Sequence, residues 1–207
     1  MFTGIIEEKG RILSVDQDRT NKVFWIESML ATALKIDESV NHNGVCLTVE
    51  EISGSAHRVS AVKETLSKTN LSNWLAGDTI NLERSMQADG RIHGHIVQGH
   101  VDGTGVCLMR TEQAGSWEYT FSFDPEYASL VVEKGSICVN GVSLTAFNTG
   151  IDNFRVAIIP FTYEHTNFSS IKTGTVVNIE FDIMGKYIQR YLDLRQGERE
   201  DQFSSSL

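Results

Sequence analysis

Two segments of the chain place thiol and hydroxyl groups at the same spacing. The segment N-G-V-C-L-T carries Cys46 and Thr48, and N-G-V-S-L-T carries Ser143 and Thr145. Apolar and polar side chains alternate in both segments, which predicts β-strands that bury the apolar side chains and turn these four residues outward. A thiol or hydroxyl on the outer face can contact a ligand or act as a nucleophile. The pattern therefore predicts two related ligand sites.

Three histidines lie close together in R-I-H-G-H-I-V-Q-G-H-V-D-G, at positions 93, 95 and 100. If His93 and His95 lay on one strand, both imidazoles would share a face and could bind a divalent metal. No carboxylate or thiolate stands at a familiar ligand spacing, so we expect no metal site. A single histidine such as His100 could instead act as a general acid or base. A third interpretation is a turn-rich hairpin that begins the second half of the chain.

Glu64, in V-K-E-T, is a further candidate, because a carboxylate on a strand edge can bind sugar hydroxyls. The equivalent residue in the second half of the chain is Phe161. The two predicted sites are therefore chemically unequal, which suits a reaction with two distinct roles.

An internal repeat explains why the motifs occur twice. Asn140 follows Asn43 by 97 positions, and the same offset without a gap matches residues of the range 43–83 to the second half. A repeat this long is a whole domain rather than a solenoid unit. We therefore predict one domain over residues 1–87, a similar one over 88–183, and a carboxyl-terminal segment over 184–207.

Short alternating runs between turn residues predict an all-β fold, a small antiparallel barrel or sandwich in each unit. The predicted strands cover residues 22–26, 45–49, 58–62, 79–83, 117–123, 142–146, 154–159 and 176–181. Short helical stretches fit residues 29–34 and 125–130.

The carboxyl-terminal segment has a different periodicity. Met184, Ile188, Tyr191 and Leu192 follow helical spacing, which predicts an amphipathic helix of roughly 14 residues. Its apolar face could pack on another subunit or fold back on its own barrel. We expect the mostly polar residues after Arg199 to fray.

Composition narrows the class of protein. The net charge is −9, which argues against nucleic-acid binding, since that requires clustered Lys and Arg. No apolar run is long enough for a membrane-spanning helix, and the amino terminus lacks a secretory signal pattern. Three widely spaced cysteines without C-x-x-C favour reduced thiols. We expect a soluble, cytoplasmic protein.

Five segments of the chain, in this order, closely resemble riboflavin synthase (alpha chain), and the resemblance covers residues 1 to about 195. The segments are M-F-T-G-I-I, N-G-V-C-L-T-V, K-E-T-L, G-H-I-V-Q-G-H-V-D-G and N-G-V-S-L-T. The resemblance implies two similar six-stranded antiparallel β-barrels of the Greek-key type, a carboxyl-terminal α-helix and, in many members, a homotrimer. It also implies conversion of two 6,7-dimethyl-8-ribityllumazine molecules into riboflavin and 5-amino-6-ribitylamino-uracil by transfer of a four-carbon unit, without metal or redox cofactor.

The resemblance assigns site residues as well. Those implied in activity are Phe2, Cys46, His100, Ser143 and Thr145. The ligand contacts implied for the first barrel are Thr3, Gly4, Ile5, Cys46, Leu47, Thr48, Ser60, Ala61, Val62, Lys63, Glu64 and Thr65. Those implied for the second barrel are Gly99, His100, Val101, Lys134, Ser143, Leu144, Thr145, Ala157, Ile158, Ile159, Pro160, Phe161 and Thr162.

In such an enzyme the active site lies between the first barrel of one subunit and the second barrel of its neighbour. His100 is the expected base for the acidic 7-methyl group of one lumazine, and Ser143 or Cys46 the expected nucleophile or water-orienting group for the other. The family usually has Gly where this chain has His93, a difference that we expect to alter access near His100. The sequence leaves open which barrel holds the donor lumazine and whether lumazine synthase is a partner. A non-catalytic lumazine- or flavin-binding chromophore protein is the alternative.

Overall fold

A computed structural model describes the backbone of residues 1–204 and the side chains of residues 1–196. The first sheet contains β1 (Glu8–Asp18), β2 (Asn21–Glu27), β3 (Ser39–His42), β4 (Val45–Thr48), β5 (Glu51–Ser53), β6 (Ala56–Ala61) and β7 (Thr79–Arg84). The second contains β8 (Gly103–Gln113), β9 (Ser116–Ser122), β10 (Ser136–Val139), β11 (Val142–Thr145), β12 (Asn153–Ile158) and β13 (Val176–Phe181). The helices are α1 (Lys63–Lys68), α2 (Pro160–His165) and α3 (Ile183–Ser204), with 3-10 turns at Met29–Ala33, Asn70–Asn73, Pro125–Leu130 and Asn167–Ser170.

Each sheet curls into a barrel. The strand order is β4-β3-β7-β1-β2-β6-β5 in the first sheet and β11-β10-β13-β8-β9-β12 in the second. β4 also contacts β6, and β11 contacts β12, so each sheet folds back on itself around an apolar interior. The predicted all-β architecture of two tandem barrels and a carboxyl-terminal helix is confirmed.

The strand count corrects the expectation of six strands in each barrel, because the first sheet has seven. The additional strand, β5, pairs with β6 through residues 51–53. In the second barrel the corresponding stretch turns at Asn148, which has a φ of 49°. Only an isolated bridge between Phe147 and Arg155 remains there.

The sequence missed the two longest strands, β1 and β8. Each has an irregular register, between Ile12 and Ser14 in β1 and between Cys107 and Met109 in β8. A bulge changes the face to which the following side chains point, so neither strand alternates regularly along its length. The predicted strands over 58–62 and 154–159 each end one residue early, at Ala61 and Ile158.

A buried network of asparagine side chains joins the barrels. Asn81 donates to the Asn140 carbonyl at 2.9 Å, and Asn178, its counterpart in the repeat, donates to the Asn43 carbonyl at 2.8 Å. Asn167 also donates to the Asn43 side chain at 3.0 Å. These groups are satisfied only when the barrels meet in this arrangement, so the network fixes their relative position.

α3 extends beyond the roughly 14 residues that the periodicity indicated, reaching Ser204. Its later residues are mostly polar, so they carry no apolar signal; the last three residues of the predicted frayed tail lie outside the described part of the chain. The helix touches its own chain near its start, where Lys186 pairs with Asp102 at 2.6 Å. Its apolar side chains Met184, Tyr187, Ile188, Tyr191, Leu192 and Leu194 are 47–73% exposed. The alternative in which this face folds back on its own barrel is therefore wrong for this chain. Among the described residues, no helix is long and apolar enough to cross a membrane.

Candidate active site

Two open pockets occupy equivalent places on the outer faces of the barrels. The first pocket, of about 620 Å³, is lined by Asp18, Asn21, Val23, Cys46, Leu47, Thr48, Glu50, Arg58, Ser60, Val62 and Thr65. The second pocket, of about 680 Å³, is lined by Ile5, His93, Gly94, Lys134, Ser136, Ser143, Leu144, Thr145, Phe147, Ala157, Ile159 and Thr162. Both volumes are in the range of small-molecule sites.

The predicted outward orientation of the motif residues is confirmed. In β4, Val45 and Leu47 are buried, Cys46 is half-buried and Thr48 is exposed. β11 follows the same alternation, except that Leu144 is only partly buried. The strands β4 and β11 therefore form the floors of the two pockets.

Residues 2–5 and 97–100, which we call the first and second crossing segments, pair with each other before entering their barrels. Phe2 and Val97 form an antiparallel bridge, with N–H···O distances of 2.7 and 3.1 Å. The Ser143 N–H donates to the Gly4 carbonyl at 2.8 Å, and the Cys46 N–H donates to the Gly99 carbonyl at 2.9 Å.

This arrangement corrects the grouping of the predicted site residues. The first crossing segment, with Thr3, Gly4 and Ile5, lies against the second barrel's β11 rather than in the first barrel's pocket. The second crossing segment, with Gly99 and His100, lies against β4 of the first barrel. Beyond the segments, Ile6 packs on the second core and Val101 on the first. The sequence repeat could not reveal this exchange, because it matches the segments to each other and not to the strands that they contact.

Glycine is required where the crossing segments meet the pocket floors. Gly4 and Gly99 have φ values of 76° and 79°, in the left-handed region that favours glycine. A Cβ atom at Gly4 would lie 2.6 Å from the Cβ of Ser143, and one at Gly99 would lie 2.6 Å from the Cβ of Cys46. Side chains at these positions would push the segments away from the pockets.

His95, one of the three clustered histidines, contacts the second pocket's hydroxyl. Its Nδ1 lies 2.7 Å from Ser143 Oγ. Burial lowers the pKa of His95, although Asp182 opposes the shift. At neutral pH the imidazole is therefore uncharged, and in the tautomer that carries its hydrogen on Nε2 it accepts the Ser143 hydroxyl proton at Nδ1. The H-x-H motif marked His95 as a candidate functional residue. Its contact with Ser143 could not be predicted from the sequence, because it depends on the tertiary fold.

The H-x-H segment is a bend and not a strand, so His93 and His95 do not share a strand face. His93 lines the second pocket, whereas the backbone next to His100 contacts Cys46 of the first barrel. We expected His93 to alter access near His100. The structure instead places His93 at the second pocket, away from the first-barrel strand that the backbone next to His100 contacts. No group of three or more His, Cys, Asp or Glu side chains suited to a metal ion occurs in the described part of the chain.

Phe2 occupies an interior position. Its side chain is 0% exposed and packs with Val97, Cys138 and Cys46. The Phe2 side chain is therefore inaccessible to a ligand in this conformation, and its packing holds the first crossing segment in place.

Several predicted contacts lie beside the pockets rather than in their walls. Glu64 lies in the first turn of α1 and not on a strand edge, and Val62 and Thr65 line the first pocket instead. Ala61 and Ile158 are buried inward. Lys63, Pro160 and Phe161, at the starts of α1 and α2, also lie outside the two pocket linings. The same holds for five residues in or next to the crossing segments: Thr3, Gly4, Gly99, His100 and Val101.

The pockets differ in charge. In the first pocket Arg58 pairs with Glu50 at 3.1 Å, and Ser60 donates to the same carboxylate at 2.9 Å. In the second pocket the Lys134 ammonium lies 4.9 Å from the centre of the Phe147 ring. Glu50 and Arg58 were missed because a charged pair on a strand resembles ordinary solvated surface. The predicted chemical inequality of the two sites is present, although it arises from these residues rather than from Glu64 alone.

Residues 3–85 and 98–182 each match the lumazine binding domain family, so the chain is a protein with two lumazine-binding domains in tandem. It is 41% identical over 193 residues to riboflavin synthase from Actinobacillus pleuropneumoniae, with 93% of this chain and 90% of that one covered. It is 40% identical over 193 residues to riboflavin synthase from Bacillus subtilis (strain 168), with the same coverage. The chain belongs to the riboflavin synthase family.

Solved structures support the fold independently. LumP complexed with riboflavin has a TM-score of 0.82 at 20% identity, with 87% of this chain and 99% of that one covered. LumP complexed with 6,7-dimethyl-8-(1'-D-ribityl) lumazine has a TM-score of 0.79 at 20% identity, with 87% of this chain and 98% of that one covered.

Proposed function

We propose that this protein is a riboflavin synthase that converts two 6,7-dimethyl-8-ribityllumazine molecules into riboflavin and 5-amino-6-(ribitylamino)uracil. Two equivalent pockets of unequal charge carry the proposal, one built on Cys46 and the other on Ser143. A reaction that consumes two copies of one molecule in two roles requires two related but different sites. We assign the pockets to domains over residues 1–87 and 88–183, followed by the helical segment 184–207.

In the proposed mechanism, His100 removes a proton from the acidic 7-methyl group of one lumazine. Ser143, through its contact with His95, activates a water or adds directly to the ring of the other. Close, face-to-face packing of the two rings supplies much of the acceleration, since effective molarities of ~10⁵ M or more are reached by well-oriented pairs. Outward backbone groups of β4 and β11 bind the pyrimidine edges, and Thr48 and Thr145 line the pockets beside them.

We further propose that the complete active site lies between subunits. Both pockets are open, and they occupy separate barrels of one chain. A homotrimer assembled through the exposed apolar face of α3 would bring the first pocket of one subunit to the second pocket of its neighbour. We place this assembly in the cytoplasm. An association with lumazine synthase stays a prediction, which co-sedimentation of the two purified proteins tests.

One assay tests the catalytic proposal. The purified protein is incubated with 6,7-dimethyl-8-ribityllumazine and EDTA, without added cofactor, and the products are quantified. We expect one riboflavin for every two lumazines consumed. Loss of activity on addition of EDTA, with recovery on adding a divalent metal, would contradict the metal-free mechanism.

The second candidate is a non-catalytic chromophore protein, which the fold shared with LumP favours. That function predicts tight, fluorescent lumazine binding with no riboflavin formed. The same incubation distinguishes the two functions, because binding without turnover supports the chromophore protein and the two-to-one stoichiometry supports the synthase.

A further inference from the structure

Two glutamates occupy equivalent buried positions near the ends of β7 and β13. Glu83 is 4% exposed and Glu180 is 2% exposed, and the two are 97 positions apart like the rest of the repeat. A carboxylate removed from water must be compensated by hydrogen-bond donors or a cation. The donors that surround these two carboxylates are the crossing segments.

Glu180 binds three consecutive backbone N–H groups. Its Oε1 accepts from Gln98 N at 2.6 Å, and its Oε2 accepts from Gly99 N and from His100 N, both at 2.9 Å. The carboxylate therefore fixes the backbone that leads into His100.

Glu83 binds the other crossing segment in the same way. Its Oε1 accepts from Thr3 N at 2.7 Å and from the Thr3 hydroxyl at 2.8 Å, and its Oε2 accepts from Gly4 N at 3.0 Å. Burial raises the pKa of Glu83 and of Glu180, and backbone N–H groups oppose the shift at both. The Thr3 hydroxyl also opposes it at Glu83, and the Lys186 ammonium opposes it at Glu180. An acceptor-only group suits these donors, because a protonated or amide side chain would present a hydrogen atom to one of them.

Each glutamate and the pocket that its segment reaches belong to different barrels. Glu83 is on β7 of the first barrel, but the segment that it binds continues to Ser143 of the second pocket through Gly4. Glu180 is on β13 of the second barrel, but its segment continues to Cys46 of the first pocket through Gly99. Because the segments meet the pocket floors through glycines that leave no room for a Cβ, a shift of either segment displaces the floor strand that it contacts.

We propose that Glu83 and Glu180 are positioning residues that act crosswise, Glu83 on the second pocket and Glu180 on the first. The proposal rests on the two pockets being the ligand sites of the proposed synthase. It makes each barrel a structural requirement for ligand binding at the other. The two carboxylates act through the backbone and touch no ligand themselves.

Glu83→Gln and Glu180→Gln test the proposal and serve as controls for each other, since both carboxylates are almost fully buried and each accepts three hydrogen bonds. Each substitution keeps the side chain's shape but replaces one acceptor oxygen by a donor NH₂. Hydrogen–deuterium exchange is followed in peptides that contain β4 and in peptides that contain β11, over a titration with riboflavin. Thermal unfolding of each variant reports any general loss of stability.

In the unmodified protein we expect riboflavin to protect both strands. In Glu83→Gln the protection of β11 should require at least about tenfold more riboflavin, while that of β4 is unchanged. Glu180→Gln should show the reverse. Three results would overturn the crosswise role while leaving the proposed function intact. They are an equal loss of riboflavin protection at both strands, a loss of protection only at the strand in the glutamate's own barrel, and no loss of protection at either strand. Absence of protection at both strands in the unmodified protein would overturn both.

A milder substitution covers the case in which a glutamine variant does not fold. Thr3→Val removes the hydroxyl that donates to Glu83 but keeps the backbone N–H and the side-chain size. We expect it to weaken protection of β11 by a few-fold without affecting β4. Equal protection of β11 in Thr3→Val and the unmodified protein would count against the proposal.

Discussion

His95 Nδ1 and Ser143 Oγ lie 2.7 Å apart at the edge of the second pocket, and the first pocket has no equivalent pair in the described structure. Cys46 takes the place of Ser143 there, and no histidine is among the residues that line the first pocket. The two pockets therefore have equivalent floor strands, but only the second has a histidine beside the reactive side chain of its floor. This difference gives the second pocket a hydroxyl in contact with an imidazole whose pKa is lowered by burial.

The pair should behave as one unit in kinetics. We expect Ser143→Ala and His95→Ala each to lower kcat by about 10²–10³, and the double variant to be little worse than either alone. Steady-state riboflavin formation measures the three rates. Thr145→Ala provides a matched control on the same strand: its effect should add to that of His95→Ala, because no hydrogen bond joins Thr145 to His95.

The same pair predicts a pH dependence. Burial lowers the pKa of His95, so the imidazole stays neutral below its ordinary value of about 6.5 and becomes charged only at more acidic pH. The rate should therefore fall on the acidic side of that value, as the proton acceptor is lost. The residual rate of His95→Ala should lack this fall, and an identical acidic limb in both proteins would show that another group is responsible.

Replacement of His100 tests the proposed base. His100→Ala should lower kcat by about 10²–10⁴ and change ligand affinity little. The side chain is exposed and its backbone is fixed through Glu180, so its removal should not disturb the fold. Single-turnover rates and fluorescence titration with riboflavin separate the two effects. An unchanged turnover rate would eliminate His100 as the base.

Phe2 should matter for structure rather than for chemistry. Phe2→Ala leaves a cavity between the crossing segments and should lower the free energy of unfolding by about 3–5 kcal/mol. It should also weaken ligand binding in the second pocket, since it releases the segment that contacts β11. Phe2→Leu fills most of the cavity and should restore most of both properties. Denaturant unfolding and riboflavin titration provide the measurements.

A buried histidine pair should make the first barrel sensitive to acid. His42 Nδ1 faces the Val40 carbonyl at 3.0 Å and must carry a hydrogen there, so His42 Nε2 accepts from His57 Nε2 at 2.9 Å. Burial lowers the pKa of both residues, to about 4 for His57. The unfolded chain gains protons below about pH 6.5 while the folded chain does not, so stability is complete above that pH and falls as the pH drops from 6.5 towards 4. The slope is up to about 1.4 kcal/mol per pH unit for each histidine.

The second barrel supplies the control for this prediction. Val139 and Phe154 occupy the positions equivalent to His42 and His57. The double variant His42→Val, His57→Phe should therefore retain the fold and show a flatter dependence of unfolding free energy on pH between 7 and 5. Urea unfolding at several pH values measures the two slopes, and equal slopes would contradict the role of the pair.

The apolar face of α3 should mediate assembly. Ile188→Glu with Leu192→Glu places two charges on this face, and we expect the proposed trimer to dissociate and turnover to be lost while each chain stays folded. Sedimentation equilibrium and circular dichroism report the two properties. Gln189→Lys, on the other side of the helix and four residues before Asp193, should leave the assembly unchanged. A doubly charged variant that remains trimeric would move the interface elsewhere.

The local alternation of apolar and polar residues and the internal repeat were sufficient to predict much of the fold. The alternation in residues 45–49 and 142–146 indicated which side chains face outward, because the two-residue period of a strand is a property of the backbone. The offset of 97 residues predicted two similar barrels and two related sites. Bulged strands such as β1 and helical turns such as α1 were not predicted, since a register shift or a single turn leaves no periodic signal.

The tertiary structure alone decided which residues share a pocket. Residues 2–5 resemble 97–100 in sequence and were grouped with the barrels that they precede, but their exchange between barrels depends on the Phe2–Val97 bridge and on the buried carboxylates of Glu83 and Glu180. These contacts join residues about 80–95 positions apart, so no local pattern encodes them. The sequence alone determined that the chain has two similar sites with a thiol at one and a hydroxyl at the other. Packing of the two barrels against each other determined which segment completes each site, because a hydrogen bond requires its partners to meet in space, whatever their distance along the chain.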